Sequence, residues 1–353
     1  MNTSFDKNDE NSASISSLTS THAPGSINSR PARADLSAGR AWVSGPALCE
    51  PWRLDRTLKD LLLRAVKQSP EHGIKTYELS GGENWISYPD FYAAAEIAAR
   101  NFLAKGLKPG DKVILQTRGT SSTLLMSWAC FLSGVVAVPM PPLVTLNRDA
   151  AAVARLRSVW EFLSHPAIIA EESFSKSLSA FTIKESWGEL RLLHVEDLLK
   201  ATKSTSDIAL PVIHPDDLAL MPLTSGSTGM PKAVQLSHRN ILAMSAGTCQ
   251  QNSFHAGDVS LNWMPLDHPG ALIFLCVVPM DAGASQIHAP TASILEDILL
   301  WLELIDQSKA TISWAPNFAF ALLSNALVRT ERRFDLSSMR FLISAGEHVA
   351  PET

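Results

Sequence analysis

Apolar side chains recur along this chain at two spacings. Leu58, Leu61, Leu62, Ala65 and Val66 fall on one face at helical spacing. Residues 88–103 predict a second helix, stopped near Gly106, where glycine supplies a usual C-terminal turn. Short, mostly apolar runs then predict strands at residues 112–116, 135–139, 167–170, 191–195, 218–223, 233–236, 259–264, 285–289, 310–314 and 340–344. Helices are expected between them, among them 121–132, 149–163 and one running from a Ser237 cap through Ala246. Strands alternating with helices place the chain in the α/β class, with largely parallel sheets covered on both faces. The chain has no internal repeat.

Residues 119–147 carry no charge, and 124–138 are largely apolar, the one stretch resembling a membrane span. Ser127, Ser133 and Gly134 interrupt it and Pro139, Pro141 and Pro142 end it, so a buried helix followed by a buried strand accounts for it better. Residues 1–45 differ in kind. Ten serines and few large apolar side chains leave too little surface to bury. They read as a disordered leader or linker, with no signal-peptide pattern, ahead of an ordered part at 46–353. The composition is 46% hydrophobic and 18% charged, with a formal charge of −5, which describes a soluble protein with a substantial core. No basic stripe exists beyond Arg332-Arg333, so nucleic acid is not favoured as a partner. Cys49, Cys130, Cys249 and Cys276 lie far apart, which argues against a disulfide framework or zinc site and suits a reducing cytoplasm.

The candidate chemistry concentrates in Thr224-Ser225-Gly226-Ser227-Thr228-Gly229-Met230-Pro231-Lys232. Glycines let successive N–H groups converge on one anion, hydroxyls add neutral donors, and lysine adds a point charge. The composition suits a polyphosphate. It is not the helix-opening Walker arrangement, because Pro231 precedes Lys232 and apolar runs flank the segment on both sides. Gly-x-Ser-x-Gly elbows, His-Glu-x-x-His pairs and metal-spaced histidines are absent.

A hydroxyl-rich loop between two strands, closed by Pro-Lys, resembles the phosphate loop of the adenylate-forming (AMP-binding) superfamily. Trp85-Ile86-Ser87-Tyr88-Pro89-Asp90-Phe91 and Gly106-Leu107-Lys108-Pro109-Gly110-Asp111-Lys112-Val113 resemble that family's opening segment. Gly134-Val135-Val136-Ala137-Val138-Pro139-Met140-Pro141-Pro142 is similar to its next motif; both read as scaffold. Met264-Pro265-Leu266-Asp267-His268-Pro269-Gly270 matches a Pro-Leu-x-His-x-x-Gly segment with spacing tighter by one residue. By resemblance His268 sits beside the substrate carboxylate and α-phosphate; by its own chemistry it can equally cap the next helix. Asp267 stands where peptide-synthetase adenylation domains hold a substrate α-ammonium, or is a solvated loop acid. An acid beside a carboxylate site is costly without a compensating cation or donor, so Asp267 suits an α-amino or α-hydroxy acid better than a plain fatty acid. Trp314-Ala315-Pro316-Asn317-Phe318-Ala319-Phe320 resembles the fatty-acyl-AMP ligase and polyketide-loading branch, which makes Trp314, Asn317 and Phe318 substrate-side candidates. Ser344-Ala345-Gly346-Glu347 resembles the turn that approaches adenine.

The resemblance implies the large N-terminal domain of the adenylate-forming fold, in incomplete form, over residues 51–353. It also implies ATP and Mg²⁺ as cofactors, the latter with Thr228 as a ligand. The expected reaction turns a carboxylic acid into acyl-AMP, for loading onto the phosphopantetheine of a carrier protein in the same polypeptide, in polyketide or nonribosomal peptide assembly. A free-standing acyl-CoA ligase is the second reading, with CoA as acceptor, and an inactive nucleotide-binding remnant the third. Lys232 and the loop neutralise the phosphates in this scheme, and His268 and Lys232 carry the catalytic roles. The family's ribose-binding aspartate, hinge and small C-terminal domain with its catalytic lysine are not in the sequence. This chain alone is therefore expected to show little ATP–pyrophosphate exchange, and robust exchange would overturn that expectation.

Overall fold

Thr57 opens the first helix, Leu58–Gln68, through a capping box in which its hydroxyl takes the Asp60 N–H while Asp60 reaches back to the Thr57 backbone. The helix buries Leu58, Leu61, Leu62 and Ala65, the stripe read from the sequence. The computed structural model describes residues 45–49, 55–79, 81–143, 146, 150–225 and 231–350. The chain divides into a unit Met1–Ala47 and a unit Leu48–Thr353, and every element below belongs to the second.

Fourteen strands form among the described residues: β1 (Gly73–Tyr77), β2 (Glu83–Ser87), β3 (Lys112–Leu115), β4 (Val136–Pro139), β5 (Ala167–Ala170), β6 (Leu192–His194), β7 (Leu218–Leu220), β8 (Leu223–Ser225), β9 (Pro231–Ala233), β10 (Leu236–Ser237), β11 (Val259–Asn262), β12 (Ser285–His288), β13 (Ile312–Ala315) and β14 (Phe341–Ser344). The first sheet has the order β14-β13-β11-β12-β1-β2 and the second β10-β7-β4-β3-β5-β6. Both are parallel apart from one antiparallel edge strand each, β2 and β10. Strands β8 and β9 form a separate antiparallel hairpin.

The strand period of two assigns each residue to a layer. In the second sheet Val113, Leu115, Ala137 and Ile169 face a central core, while Ile114, Val136, Val138 and Ile168 face an outer one. Helices Leu58–Gln68, Tyr88–Ala104, Thr120–Ser133 and His238–Asn252 contribute to the central core, which Ile74 and Ile312 of the first sheet also join. Helices Ala150–Phe162 and Glu172–Lys184 cover the outer face of the second sheet. Leu299–Ser308 and Asn317–Leu327 cover that of the first.

The uncharged stretch becomes the helix Thr120–Ser133, buried from Leu124 onward, which ends at left-handed Gly134 and is followed by β4. Ser127 and Ser133 donate to Thr123 and Ala129 carbonyls at 2.7 and 2.8 Å, satisfying their hydroxyls inside the helix. No helix among the described residues is long and apolar enough to cross a membrane.

Two predicted strands divide. Residues 218–223 split at Met221-Pro222 into β7 and β8, because proline has no N–H to continue a ladder. Residues 233–236 split likewise, with Ala233 pairing in the hairpin and Leu236 pairing with β7. The β1–β2 pair was not legible beforehand: β2 is an edge strand whose Glu83, Asn84 and Trp85 are exposed, so it carries no apolar run. Residues 270–277 form a π-helix, Gly270–Val277.

Among the described residues two histidines lie wholly inside. His238 accepts the Leu58 N–H on Nδ1 at 3.1 Å and thereby holds the first helix, and His288 sits at the end of β12. Burial pushes His238 down to about 4 and His288 down to about 3. Both folded values lie below the unfolded 6.5, so unfolding takes up protons. Their stabilising contribution is full above about pH 6.5 and is lost as pH falls toward 4 and 3. Denaturant unfolding at pH 5 against pH 8 should show a loss of about 2 kcal/mol per histidine. His288→Asn should remove about half of that pH-dependent loss, and an unchanged pH slope would refute the assignment.

Candidate active site

In a parallel sheet buried on both faces, side chains that meet solvent sit at strand ends, and ligands collect outside the carboxyl ends. Both sheets follow this rule. A cavity of 720 Å³ opens where β1, β3, β4, β11 and β12 end. Its wall is mostly apolar, with Leu115, Met140, Pro142, Met264 and Leu266, and carries three charged side chains: Glu78, Arg118 and Asp267. Burial raises the Asp267 carboxyl above the usual range, with His268 and Arg155 pulling the other way. Burial also raises Glu78, reinforced by the charge of Glu171 and opposed by the Ser121 backbone N–H. The Glu171 carboxylate accepts the Arg118 and Gly119 N–H groups at 3.0 and 3.2 Å, which fixes the turn after β3.

A chain of buried side chains holds the wall from behind. Asn262 accepts the Met264 N–H at 2.9 Å and donates to the Met264 carbonyl at 3.2 Å. Its amide also reaches His288 Nδ1 at 3.2 Å, and His288 Nε2 meets Gln286 Oε1 at 3.1 Å. Gln286 donates to the Tyr88 hydroxyl at 3.0 Å, and that hydroxyl donates to the Ala284 carbonyl. The donors run in one direction only if His288 is neutral with its proton on Nε2, which agrees with its lowered pKa.

A second group gathers at the ends of β11, β13 and β14. The His268 ring accepts the Gly270 N–H on Nδ1 at 3.1 Å, at the mouth of the π-helix, so in the neutral ring Nε2 carries the proton. A Cβ on Gly270 would stand 2.9 Å from the Trp314 ring and 3.0 Å from His268 Nδ1, so only glycine lets these rings approach. Trp314 packs edge-on against Phe274 with centroids 5.2 Å apart, and its indole N–H donates to the Ala345 carbonyl at 3.1 Å. Glu347 Oε1 accepts the Phe318 N–H at 2.6 Å, and Asn317 Oδ1 accepts the Ala350 N–H at 3.3 Å. Gly346 has φ of +95°, a conformation glycine adopts freely. The Ser344 hydroxyl is buried without a hydrogen-bond partner, an orphan polar atom at the end of β14.

The hairpin sets Thr224 directly opposite Lys232, both exposed, with the Thr224 hydroxyl donating to the Lys232 carbonyl at 3.4 Å. Ser225 pairs with Pro231 at the tip of the described ladder. Gly226, Ser227, Thr228 and Gly229 lie outside the described residues. The Mg²⁺ expectation on Thr228 lies there as well, and among the described residues no group of three or more His, Cys, Asp or Glu side chains fits a metal.

The sequence-predicted residues thus divide. His268, Trp314, Asn317, Ala345 and Glu347 come together with Gly270. Asp267 alone of the described ones lines the cavity, and Phe318 is 43% exposed. Sequence reasoning passed over Glu78, Arg118, Thr117 and the Met140–Pro142 wall, treating the last as scaffold. The available signal was position: each follows the carboxyl end of a strand in a parallel sheet.

Residues 62–353 match the family described as AMP-binding enzyme. The solved structure of McyG A-PCP complexed with phenylalanyl-adenylate is similar to this chain with a TM-score of 0.81 and 39% identity, over 87% of this chain and 47% of that one. The adenylation domain of a keto acid-selecting NRPS module, bound to keto acyl adenylate, gives 0.78 and 35% over 84% and 55%. An inactive atromentin synthetase of Paxillus involutus is 30% identical over 305 residues, 84% of this chain and 31% of that protein. This chain therefore spans about a third of that relative's length and about half of the two solved chains. The matched span, the paired parallel sheets and the hydroxyl-rich hairpin agree: the chain belongs to the AMP-binding enzyme family and has the large-domain architecture of the adenylate-forming fold.

Proposed function

We propose that residues 46–353 bind ATP and a carboxylic acid and contribute to forming an acyl-AMP. A carboxylate oxygen attacks the α-phosphorus, a new P–O bond forms, and the bond to the pyrophosphate leaving group breaks. Catalysis of this kind is mainly positioning and charge stabilisation. The observation that carries the reading is the hairpin, which holds Thr224 opposite Lys232, the two ends of the Ser/Thr/Gly segment of the sequence. Lys232 would neutralise the β- and γ-phosphates, with the loop hydroxyls and amides beside it. The backbone of residues 344–347 would approach the adenine, next to the buried, unpartnered Ser344 hydroxyl. Mg²⁺ belongs to the chemistry of this family with ATP, but no described cluster holds it, and no step is assigned to it.

The acid would occupy the 720 Å³ cavity, whose apolar wall suits a hydrophobic tail. Asp267 in that wall, and relatives holding a phenylalanyl-adenylate and a keto acyl adenylate, support an acid with a polar α-substituent over a plain fatty acid. The A-PCP make-up of one relative supports a carrier-protein phosphopantetheine as acceptor over CoA. Cys130, Cys249 and Cys276 are buried thiols, and a reducing cytoplasm is the compartment that suits them. A second reading, a nucleotide-binding remnant, draws on the inactive relative.

Calorimetric titration of the chain with ATP tests the nucleotide site that the proposal requires. Lys232→Ala should weaken binding by about tenfold to a hundredfold, the range for one charge-assisted contact to phosphate. Equal ATP affinity in the wild type and the variant, or no binding in either, would sink the proposal.

A further inference from the structure

The helix Asn317–Leu327 opens after Pro316, a residue with no side-chain acceptor to offer the first-turn N–H groups. Its cap comes instead from 29 residues downstream, where Glu347 Oε1 accepts the Phe318 N–H at 2.6 Å. Two further bonds tie the same pieces together: the Trp314 indole N–H to the Ala345 carbonyl at 3.1 Å, and the Ala350 N–H to Asn317 Oδ1 at 3.3 Å. Strand pairing continues the link, with the Ala345 N–H on the Ala315 carbonyl at 3.3 Å. The turn after β14 and the entry to this helix are therefore one hydrogen-bonded body. The free rotation that separates most neighbouring loops is missing between them.

We propose that Glu347 is a positioning residue that couples nucleotide binding at the 344–347 turn to the order of the helix Asn317–Leu327. This rests on the proposed reading of that turn as the adenine side. A nucleotide that orders the turn fixes the Glu347 carboxylate on the Phe318 N–H. That ordering extends to the first turn of the helix and, through the indole bond to Ala345, to Trp314, which lies against Gly270. The acid side would thus be set before the acid arrives. By reciprocity, a ligand that orders the helix tightens nucleotide binding by the same factor. Neither effect needs Glu347 to touch a reacting atom.

Hydrogen–deuterium exchange of the full chain, with and without ATP, tests the proposal. In the wild type, ATP should slow the amides of residues 345–350 and those of 317–320 together. In Glu347→Ala the slowing at 345–350 should remain, while that at 317–320 should fall by about fivefold, the loss typical of one removed helix cap. A wild-type response at 224–232 and 345–350 with none at 317–320 overturns the coupling and leaves the function intact. An undiminished response at 317–320 in Glu347→Ala overturns it too. Absence of any ATP response, at 224–232 included, overturns the functional reading and the coupling with it. If Glu347→Ala shows no ATP response at 224–232, Phe318→Pro, which removes the N–H that Glu347 accepts at a first-turn position where proline is tolerated, replaces it under the same criteria.

Discussion

Two-sided burial of the parallel strands is the constraint on which the rest of the structure depends. Val113, Ile114 and Leu115 are successive residues of one strand, yet each is at most 1% exposed, because helices cover both faces of the sheet. A strand in that position has no polar face to lend to chemistry. Functional side chains are forced to the strand ends, and the common direction of the strands selects one set of ends. The cavity, the hairpin, the π-helix and the 344–347 turn all follow carboxyl ends for this reason. The central helical layer shared by the two sheets brings those ends to one side of each sheet, where loops from both can line the same cavity.

Buried polarity is spent where it orients that side of the molecule. The run from Tyr88 through Gln286 and His288 to Asn262 is fully hydrogen-bonded, so it avoids the penalty of an unpaired buried group. Its last member grips both backbone groups of Met264, three residues before Asp267. An orphan atom is informative by contrast. Ser344 leaves a hydroxyl buried and unsatisfied at the end of a strand. The π-helix adds a second local departure, since wide turns of this kind are frequent at functional sites. Gly270 at its mouth gives up side-chain volume so that Trp314 and His268 can both lie close to its backbone.

Much of this was legible in the chain, for identifiable reasons. Helical stripes such as Leu58–Val66 and buried runs such as 135–139 and 167–170 have one dominant period, and their elements follow from it. Ser237 announced its helix, because a serine before a periodic segment satisfies a terminal N–H. Strand β2 stayed hidden, since an exposed edge strand needs no apolar residues. The divisions at Met221-Pro222 and after Ala233 stayed hidden as well, because which neighbour each half pairs with is not a local property.

The site divides along the same line. The sequence by itself determined the α/β class, the Ser/Thr/Gly segment before Lys232, the family resemblance and most of the residues that gather around Gly270. Those signals are local: residue types at short spacing, each with a direct chemical meaning. Only the tertiary structure decided that Asp267 faces the cavity while His268 turns its Nδ1 to the Gly270 N–H. It alone put Arg118, Glu78 and the Met140–Pro142 wall around that cavity, and Glu347 on a helix 29 residues upstream. Those placements depend on the order of strands in the two sheets. Strand order is fixed by packing between distant segments, which no window of sequence contains.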